Sequence, residues 1–215
     1  MPRSAPLQRR SDTLRSAARI TRTTRQRHLL AQAVLVFAER GYHGTTLELV
    51  AEAAGVPDTS LVKHFEDKTA LFQGVLAEVR AATIERWRTE TAALPDPLAQ
   101  LHAVADLYLG AARADAAALR LLHRALAECD GEEIAEPLRA FFLECETFLA
   151  GIIAEGQQAG VFRRSPDPRV LAWDVLHAGL GQTATRPLAL ALHRETDSLA
   201  RAVDCLLHGL LKTDV

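Results

Sequence analysis

A run of polar side chains between residues 58 and 64 carries the residue types with which proteins contact DNA. Asp58, Thr59, Ser60, Lys63 and His64 lie on the side of a short predicted helix that its apolar residues leave free. Hydroxyl, ammonium and imidazole groups of this kind form hydrogen bonds with base edges in the major groove and with phosphates. The segment therefore predicts a solvent-facing surface that can enter a DNA groove.

The flanking residues predict a helix-turn-helix that would hold this surface in place. Gly55 supplies the positive φ with which the first helix ends sharply, and Leu61 and Phe65, one turn apart, bury the second helix. Small and apolar side chains line the remaining contact between the two helices: Val50, Ala51, Ala54 and Val56. A plain αα-hairpin with a glycine cap is the alternative reading, and it accounts for fewer of these positions.

Residues 25–76 resemble the DNA-binding domain of the tetracycline-repressor (TetR) family of bacterial transcriptional regulators. The resemblance is carried by residues 37–46 (FAERGYHGTT), 50–56 (VAEAAGV) and 61–71 (LVKHFEDKTAL). The rest of the chain is similar only in layout, as a long, all-helical effector domain. The resemblance implies that Thr46 places a hydroxyl on a phosphate, and that His64 and Lys68 hold the DNA backbone.

Four positions bear on base contact. Lys63 is the best candidate for guanine O6 and N7, although it could equally hold a phosphate, and Ser60 can donate to or accept from a base edge. Val62 stands where the family usually has tyrosine, so one phosphate-binding hydroxyl is missing, while a valine there could touch a thymine methyl. Asp58 repels phosphate unless it accepts from cytosine N4, or it caps its own helix.

Helical periodicity dominates the sequence and predicts an all-α fold with about nine helices. We expect three parts: a basic N-terminal arm (1–23), a three-helix DNA-binding domain (24–66) and a helical effector-binding and dimerisation domain (67–215). The helices are predicted near 25–39, 46–54, 58–64, 67–92, 98–113, 115–128, 137–158, 168–182 and 197–211.

Capping and breaking residues set most of these boundaries. Thr45 and Glu48 have the spacing of a capping box, and Asp67 is expected to cap the long helix that follows. Glu136-Pro137 is interpreted as a break, and Asp167-Pro168 as a cap followed by a first-turn proline. A further break is expected near Thr185-Arg186-Pro187.

The last two predicted helices are the expected homodimer interface. Their broad apolar faces contain Val170, Leu171, Trp173, Val175, Leu176 and Leu180 on the first, and Leu199, Val203, Leu206, Leu207 and Leu210 on the second. Ala178, Gly179 and Gly181 would permit a close crossing. These faces could instead complete each subunit's own core, and the family resemblance favours a four-helix interface built from two copies.

The bundle could also enclose a cavity for a small-molecule effector. Candidate wall residues are aromatic, imidazole or thiol side chains: Trp87, His102, Tyr108, His123, Phe142, Cys145, Trp173 and His177. Few charges accompany them, which favours an apolar or aromatic ligand with one or two polar groups, although each residue is more often ordinary core. The resemblance implies that the ligand shifts the helix after the DNA-binding domain and weakens DNA binding.

Charge is distributed unevenly along the chain. Residues 1–65 hold 10 Lys and Arg against 5 Asp and Glu, whereas residues 66–215 hold 15 against 22. A basic beginning and an acidic remainder suit a chain whose first third meets phosphate. The arm, in which Asp12 is the only acid, could add DNA contacts, resemble an organellar transit peptide, or be a dispensable end.

Other functional classes find little support. No apolar run reaches the length of a membrane span, and the three cysteines have no paired spacing, which favours reduced thiols in a cytoplasm. No phosphate-binding glycine loop, nucleophile elbow or zinc motif is present, and Cys205 with His208 supplies only two ligands. We therefore expect a cofactor-free, cytoplasmic, non-enzymatic homodimer.

This homodimer would be a DNA-binding regulator, by default a repressor, that a small molecule releases from a palindromic operator. The alternative is a helical ligand carrier or enzyme whose hairpin only mimics a helix-turn-helix.

Overall fold

A computed structural model of the chain describes residues 24–114 and 116–188, and these contain eight α-helices and no β-strand. The helices are α1 (24–40), α2 (Leu47–Ala54), α3 (Asp58–Val62), α4 (Lys68–Thr91), α5 (Pro97–Ala114), α6 (Ala116–Ala127), α7 (Glu132–Gln158) and α8 (Pro168–Thr185), which leads into a 3₁₀ turn at Arg186–Leu188. The all-α prediction is confirmed. The predicted arm (1–23) and ninth helix (197–211) lie outside the described residues, as do Cys205 and His208.

The N-terminal unit consists of α1–α3 and the first turns of α4, packed around aromatic side chains. Phe37 of α1 and Tyr42 of the following turn both meet Phe72 of α4 edge-on, with ring centroids 5.1 and 5.0 Å apart. Leu61 of α3 is fully buried against this core. The first turns of α4 therefore belong to the N-terminal unit, and α4 is anchored there.

Two caps differ from the sequence-based predictions. The side chain of Thr46, not Thr45, caps α2 by accepting a hydrogen bond from the Leu49 amide at 3.4 Å. Thr45 is buried, and its hydroxyl donates to the Gly41 carbonyl. The N-cap of α3 is Pro57, which has no side chain able to cap, so Asp58 is the first helical residue and does not cap its helix.

The C-terminal bundle is built from α4 to α8, with α7 packed against both α4 and α8. Asp67 caps α4 as predicted, accepting from the Ala70 amide at 2.7 Å, and Asp167 caps α8 ahead of Pro168. The break predicted near Thr185 is also confirmed.

The break predicted at Glu136-Pro137 is wrong, because α7 begins at Glu132 and runs through Pro137. The proline lies in the second turn, where its missing amide costs a single hydrogen bond to the Glu133 carbonyl. Ile134 is fully buried one turn earlier, and Arg139 forms ion pairs with Glu132 and Glu136. Burial and these pairs hold the first turn in helical form despite the proline.

One face of α8, which the sequence assigns either to the dimer interface or to the core, lines the cavity. Val175, Leu176, Gly179 and Leu180 contribute to its wall, and Val175, Leu176 and Leu180 are half-buried. Leu171 is buried, and Trp173 is half-buried with its indole donating to the buried Glu146 carboxylate at 2.7 Å. Of the predicted face on α8, Val170 remains strongly exposed. The predicted partner residues on the ninth helix, Leu199, Val203, Leu206, Leu207 and Leu210, lie outside the described residues.

Within residues 24–114 and 116–188, no helix is long and apolar enough to cross a membrane.

Candidate DNA-binding surface and ligand cavity

The second helix of the helix-turn-helix, α3, presents its polar side to solvent. Gly55 ends α2 in the left-handed region, at φ 65°, and redirects the chain so that α3 crosses α2. Leu61 and Phe65 are buried beneath α3, whereas the predicted DNA-contacting residues Asp58, Thr59, Val62 and Lys63 are exposed, and Ser60 and His64 are half-buried. The outer surface of α3 is therefore open in the described structure.

Val62 is the large apolar residue on this open surface, with 55% of its surface exposed. A valine so exposed gains nothing from the protein core, and a thymine methyl group would be a suitable partner for it. Asp58, the first residue of α3, is exposed beside it.

Thr46 lies at the exposed start of α2, as the predicted phosphate contact requires. A hydrogen bond between the Thr46 and Glu48 side chains lowers the pKa of the Glu48 carboxyl. A phosphate that takes the Thr46 hydroxyl would therefore compete with this carboxylate.

Lys68 has a structural partner in addition to its predicted DNA-backbone role. Its Nζ donates to the Tyr42 carbonyl at 3.0 Å and lies 4.4 Å from the centroid of the Tyr42 ring. The Tyr42 hydroxyl also pairs with Thr69 Oγ1 at 2.9 Å. Because an ammonium has three N–H groups, Lys68 can hold the Tyr42 turn and still contact a phosphate.

A cavity of about 280 Å³ lies between α4, α5, α6, α7 and α8. Its wall is predominantly apolar and includes Val79, Leu107, Leu119, Leu122, Phe141 and Leu149. Glu78, Ala82 and Arg86 of α4 line it as well, and they are exposed and spaced one turn apart. These three residues form a rim at which opposite charges flank a small side chain.

Four of the eight predicted cavity residues line this wall: Trp87, Tyr108, Phe142 and Cys145. His102, His123, Trp173 and His177 do not. His177 packs against Trp173, with ring centroids 5.4 Å apart, and Trp173 packs against the back of Phe142. Helical periodicity could not distinguish the inner layer of the bundle from the layer behind it. The sequence analysis also did not identify the α4 rim or the α6 leucines, because these residue types do not distinguish a cavity wall from ordinary surface or core.

Away from the rim, the polar groups in the wall and directly behind it have partners or are neutral. Tyr108 Oη lies 3.1 Å from Thr183 Oγ1, and His123 Nε2 lies 2.8 Å from the same hydroxyl. Burial raises the pKa of Tyr108 and lowers that of His123, so both are favoured in their neutral forms. Burial raises the pKa of the Cys145 thiol to about 12, which keeps it uncharged. The interior of the cavity therefore suits apolar ligand groups, and its charged side chains lie at the rim.

The described residues contain no group of three or more His, Cys, Asp or Glu side chains that could hold a metal ion.

A helix-turn-helix joined to a helical bundle is the architecture of a DNA-binding regulator, and known proteins resemble the chain in sequence and in fold. Residues 29–75 match the family model described as bacterial regulatory proteins, tetR family. The chain is 30% identical over 196 residues to the transcriptional repressor DhaR of Mycobacterium sp. (strain GP1), covering 89% of this chain and 95% of DhaR.

A second relative is the transcriptional regulator RutR of Escherichia coli K12, with 29% identity over 145 residues. That match covers 65% of this chain and 66% of RutR, just under two thirds of its length. Among solved structures, the regulator FadR of Bacillus subtilis in complex with stearoyl-CoA superposes with a TM-score of 0.73 at 20% identity, covering 86% of this chain and 97% of FadR. The chain belongs to the TetR family of DNA-binding transcriptional regulators.

Proposed function

We propose that the chain is a cytoplasmic repressor that binds a palindromic operator as a homodimer and leaves it when a small molecule fills the cavity. One observation carries the proposal: α4 begins in the N-terminal unit and continues into the cavity wall. Phe72 near its start packs against Phe37, and Val79, Thr83 and Trp87 line the cavity further along. A ligand that displaces these side chains therefore acts on a helix anchored in the N-terminal unit, which is the DNA-binding unit.

The DNA-binding role is supported by the surface of α3. Lys63 would contact bases, Thr46, His64 and Lys68 would contact the backbone, and Val62 would meet a thymine methyl. A single short helix contacts few base pairs, so a long operator needs two copies of α3 about 34 Å apart. A symmetric dimer meets that requirement.

The effector is proposed to be an apolar or aromatic molecule with one or two polar groups. The wall is apolar, and its tyrosine hydroxyl and thiol are engaged or neutral, whereas Glu78 and Arg86 stand at the rim. An elongated ligand would bury its apolar part among Leu119, Leu122 and Phe141 and leave its polar end near the rim. FadR of B. subtilis, which shares the fold, holds stearoyl-CoA.

The homodimer is proposed to form through the outer face of α8 together with the following segment of the chain. Val170 and Leu188 are 53% and 65% exposed at the two ends of this stretch. A second copy would bury both leucine and valine side chains, which stabilises association.

Salt-dependent DNA binding tests the proposal directly. Operators are first selected by genomic footprinting with the full-length protein, and affinity for the selected fragment is then measured between 50 and 200 mM salt. A dimer that contacts about 6–10 phosphates should lose about 10³–10⁵-fold in affinity over this range. A scrambled fragment of the same length is the control and should bind far more weakly. Failure to retain any genomic fragment would contradict the proposal and favour a ligand carrier.

A further inference from the structure

We infer that Arg124 and Glu128, at the end of α6, clamp the DNA-binding unit to the cavity and carry the ligand signal to it alongside α4. The two residues are called the α6 clamp below. The inference rests on the proposed function and adds a second physical connection between the two sites.

Glu128 binds backbone amides of the N-terminal unit. Its Oε2 accepts from the Tyr42 amide at 2.6 Å and from the His43 amide at 3.3 Å. These amides belong to the turn that follows α1 and have no helical partner. A carboxylate that accepts two amide protons forms charge-assisted hydrogen bonds, which are stronger than neutral ones.

Arg124 binds the same end of α1. Its Nη1 donates to the backbone carbonyl of Glu39, in the last turn of α1. Carbonyls at a helix C-terminus carry partial negative charge, so a guanidinium is the matching partner. Glu128 is the first residue after α6, and its amide bonds to the Arg124 carbonyl at 3.0 Å, so the two residues stay one helical turn apart on the same side. The positive guanidinium thus binds a backbone carbonyl, and the negative carboxylate binds backbone amides.

The turn after α1 is shaped to admit the carboxylate. Gly41 has φ +74°, and a Cβ added there would overlap the Glu128 carboxylate. Glycine is thus required at this position both for its backbone conformation and for the approach of Glu128. His43 Nε2 and Asp130 Oδ1, 3.2 Å apart, add a contact on the surface of the same junction.

The clamped turn also holds the start of α4. Tyr42, whose amide is bound by Glu128, accepts from Lys68 through its carbonyl and pairs with Thr69 through its hydroxyl. Movement of the turn therefore changes the position of α1 and of the first turn of α4 together.

The other part of α6 forms cavity wall. Ala118, Leu119 and Leu122 line the cavity, and Leu122 lies less than two turns before Glu128. A helix of 12 residues is about 18 Å long and moves as a rigid element. A ligand that displaces Leu119 and Leu122 would therefore move Arg124 and Glu128, and with them the end of α1.

The test is a mutant cycle between cavity and clamp in the full-length protein. Cys145→Phe, on α7, fills the cavity and leaves the sequence of α6 unchanged. Affinity for the selected operator is measured for the protein with and without this substitution. The fold-loss in affinity is then compared in Glu128→Ala and Arg124→Ala backgrounds. Arg120→Ala is the matched control, because Arg120 is exposed one turn before Arg124 on the same helix.

We expect filling of the cavity to weaken operator binding about tenfold in the wild-type and Arg120→Ala backgrounds, within the usual range of allosteric coupling. The loss should fall below about threefold when either clamp residue is removed. An unchanged tenfold loss in both clamp variants would overturn the inference and leave the proposed function standing. No loss in the wild-type background would overturn both.

Amide exchange supplies a second readout that does not depend on DNA. In otherwise wild-type protein, Cys145→Phe should accelerate exchange at the Tyr42 and His43 amides at least severalfold, because their bonds to Glu128 weaken. Leu176→Phe, on α8, fills the same cavity from another wall and replaces Cys145→Phe if the latter does not fold. Equal protection of both amides in filled and unfilled protein would contradict a clamp that responds to the cavity.

Discussion

Two lysines of the DNA-binding unit differ in what surrounds them. Lys63 is exposed at the end of α3, whereas Lys68 is half-buried and donates to the Tyr42 carbonyl. Lys63 is thus available to DNA alone, whereas Lys68 holds the fold in addition to the phosphate contact that we propose for it. Replacing each lysine by alanine should therefore distinguish an effect on DNA recognition from an effect on the stability of the fold.

We predict that Lys63→Ala weakens operator binding by about 1–3 kcal/mol and relaxes sequence preference, with the thermal midpoint unchanged. Lys68→Ala should weaken binding to all DNA, lower the salt slope by about one, and reduce the free energy of unfolding by about 1–2 kcal/mol through loss of its Tyr42 contacts. Fluorescence anisotropy on cognate and scrambled DNA, together with thermal unfolding, measures each effect. If Lys63→Ala left affinity and preference unchanged, α3 would not be the recognition helix.

Individual residues were predictable where a local pattern determined them. The Gly55 turn and the burial of Leu61 and Phe65 follow from spacing within one hairpin. Glu128 could not be found in this way, because its amide partner at Tyr42 is 86 residues away in sequence. Nothing in an isolated glutamate near a helix end indicates which backbone groups it will meet.

At the scale of elements, two glycines have similar backbone conformations and different surroundings. Gly41 and Gly55 have φ of 74° and 65°, and each ends a helix. A Cβ at Gly55 meets nothing within 4 Å, whereas a Cβ at Gly41 would overlap Glu128. The pair therefore isolates the contribution of the α6 clamp from that of backbone conformation.

Gly55→Ala should cost about 1–2 kcal/mol of unfolding free energy, since only left-handed strain is introduced. Gly41→Ala should cost more, because it also displaces the carboxylate from the Tyr42 and His43 amides. Adding Glu128→Ala should cost less in the Gly41→Ala background than in the wild type, as expected when both changes remove one interaction. Urea unfolding of the wild type, the three single variants and the Gly41→Ala, Glu128→Ala double variant measures these differences. Equal costs for the two glycine changes would indicate that Glu128 can move aside freely.

Helix boundaries show the limit of element-level prediction. Single caps at Asp67 and Asp167 were identified correctly because a capping bond spans two or three residues. Pro137 is predicted to break its helix because a proline usually does so, whereas Ile134 buried in the core and the Arg139 ion pairs hold this one. Tertiary packing, which a local pattern does not contain, decided the outcome.

At the scale of the whole molecule, two connections join the DNA-binding unit to the cavity. One is α4, which is shared by both, and the other is the α6 clamp on the end of α1. Coupling between two binding sites is reciprocal whichever connection carries it, so operator DNA should weaken effector binding by the factor with which the effector weakens DNA binding. In the homodimer that we propose, the position of α3, and hence the separation of its two copies, is the quantity that the ligand would control.

The separation of the two α3 helices can be tested on the DNA itself. Inserting about 5 base pairs between operator half-sites turns one half-site to the opposite side of the duplex, so a homodimer can engage only one. Affinity should fall toward that of a single half-site, a loss of about 10²–10⁴-fold. A fragment with one half-site scrambled is the control and should bind as weakly as the displaced pair. The measurement is a titration of the full-length protein on the three fragments, at one salt concentration. If the displaced pair bound as tightly as the natural operator, the two recognition helices would not be held at a fixed distance, and release by a change in that distance would be untenable.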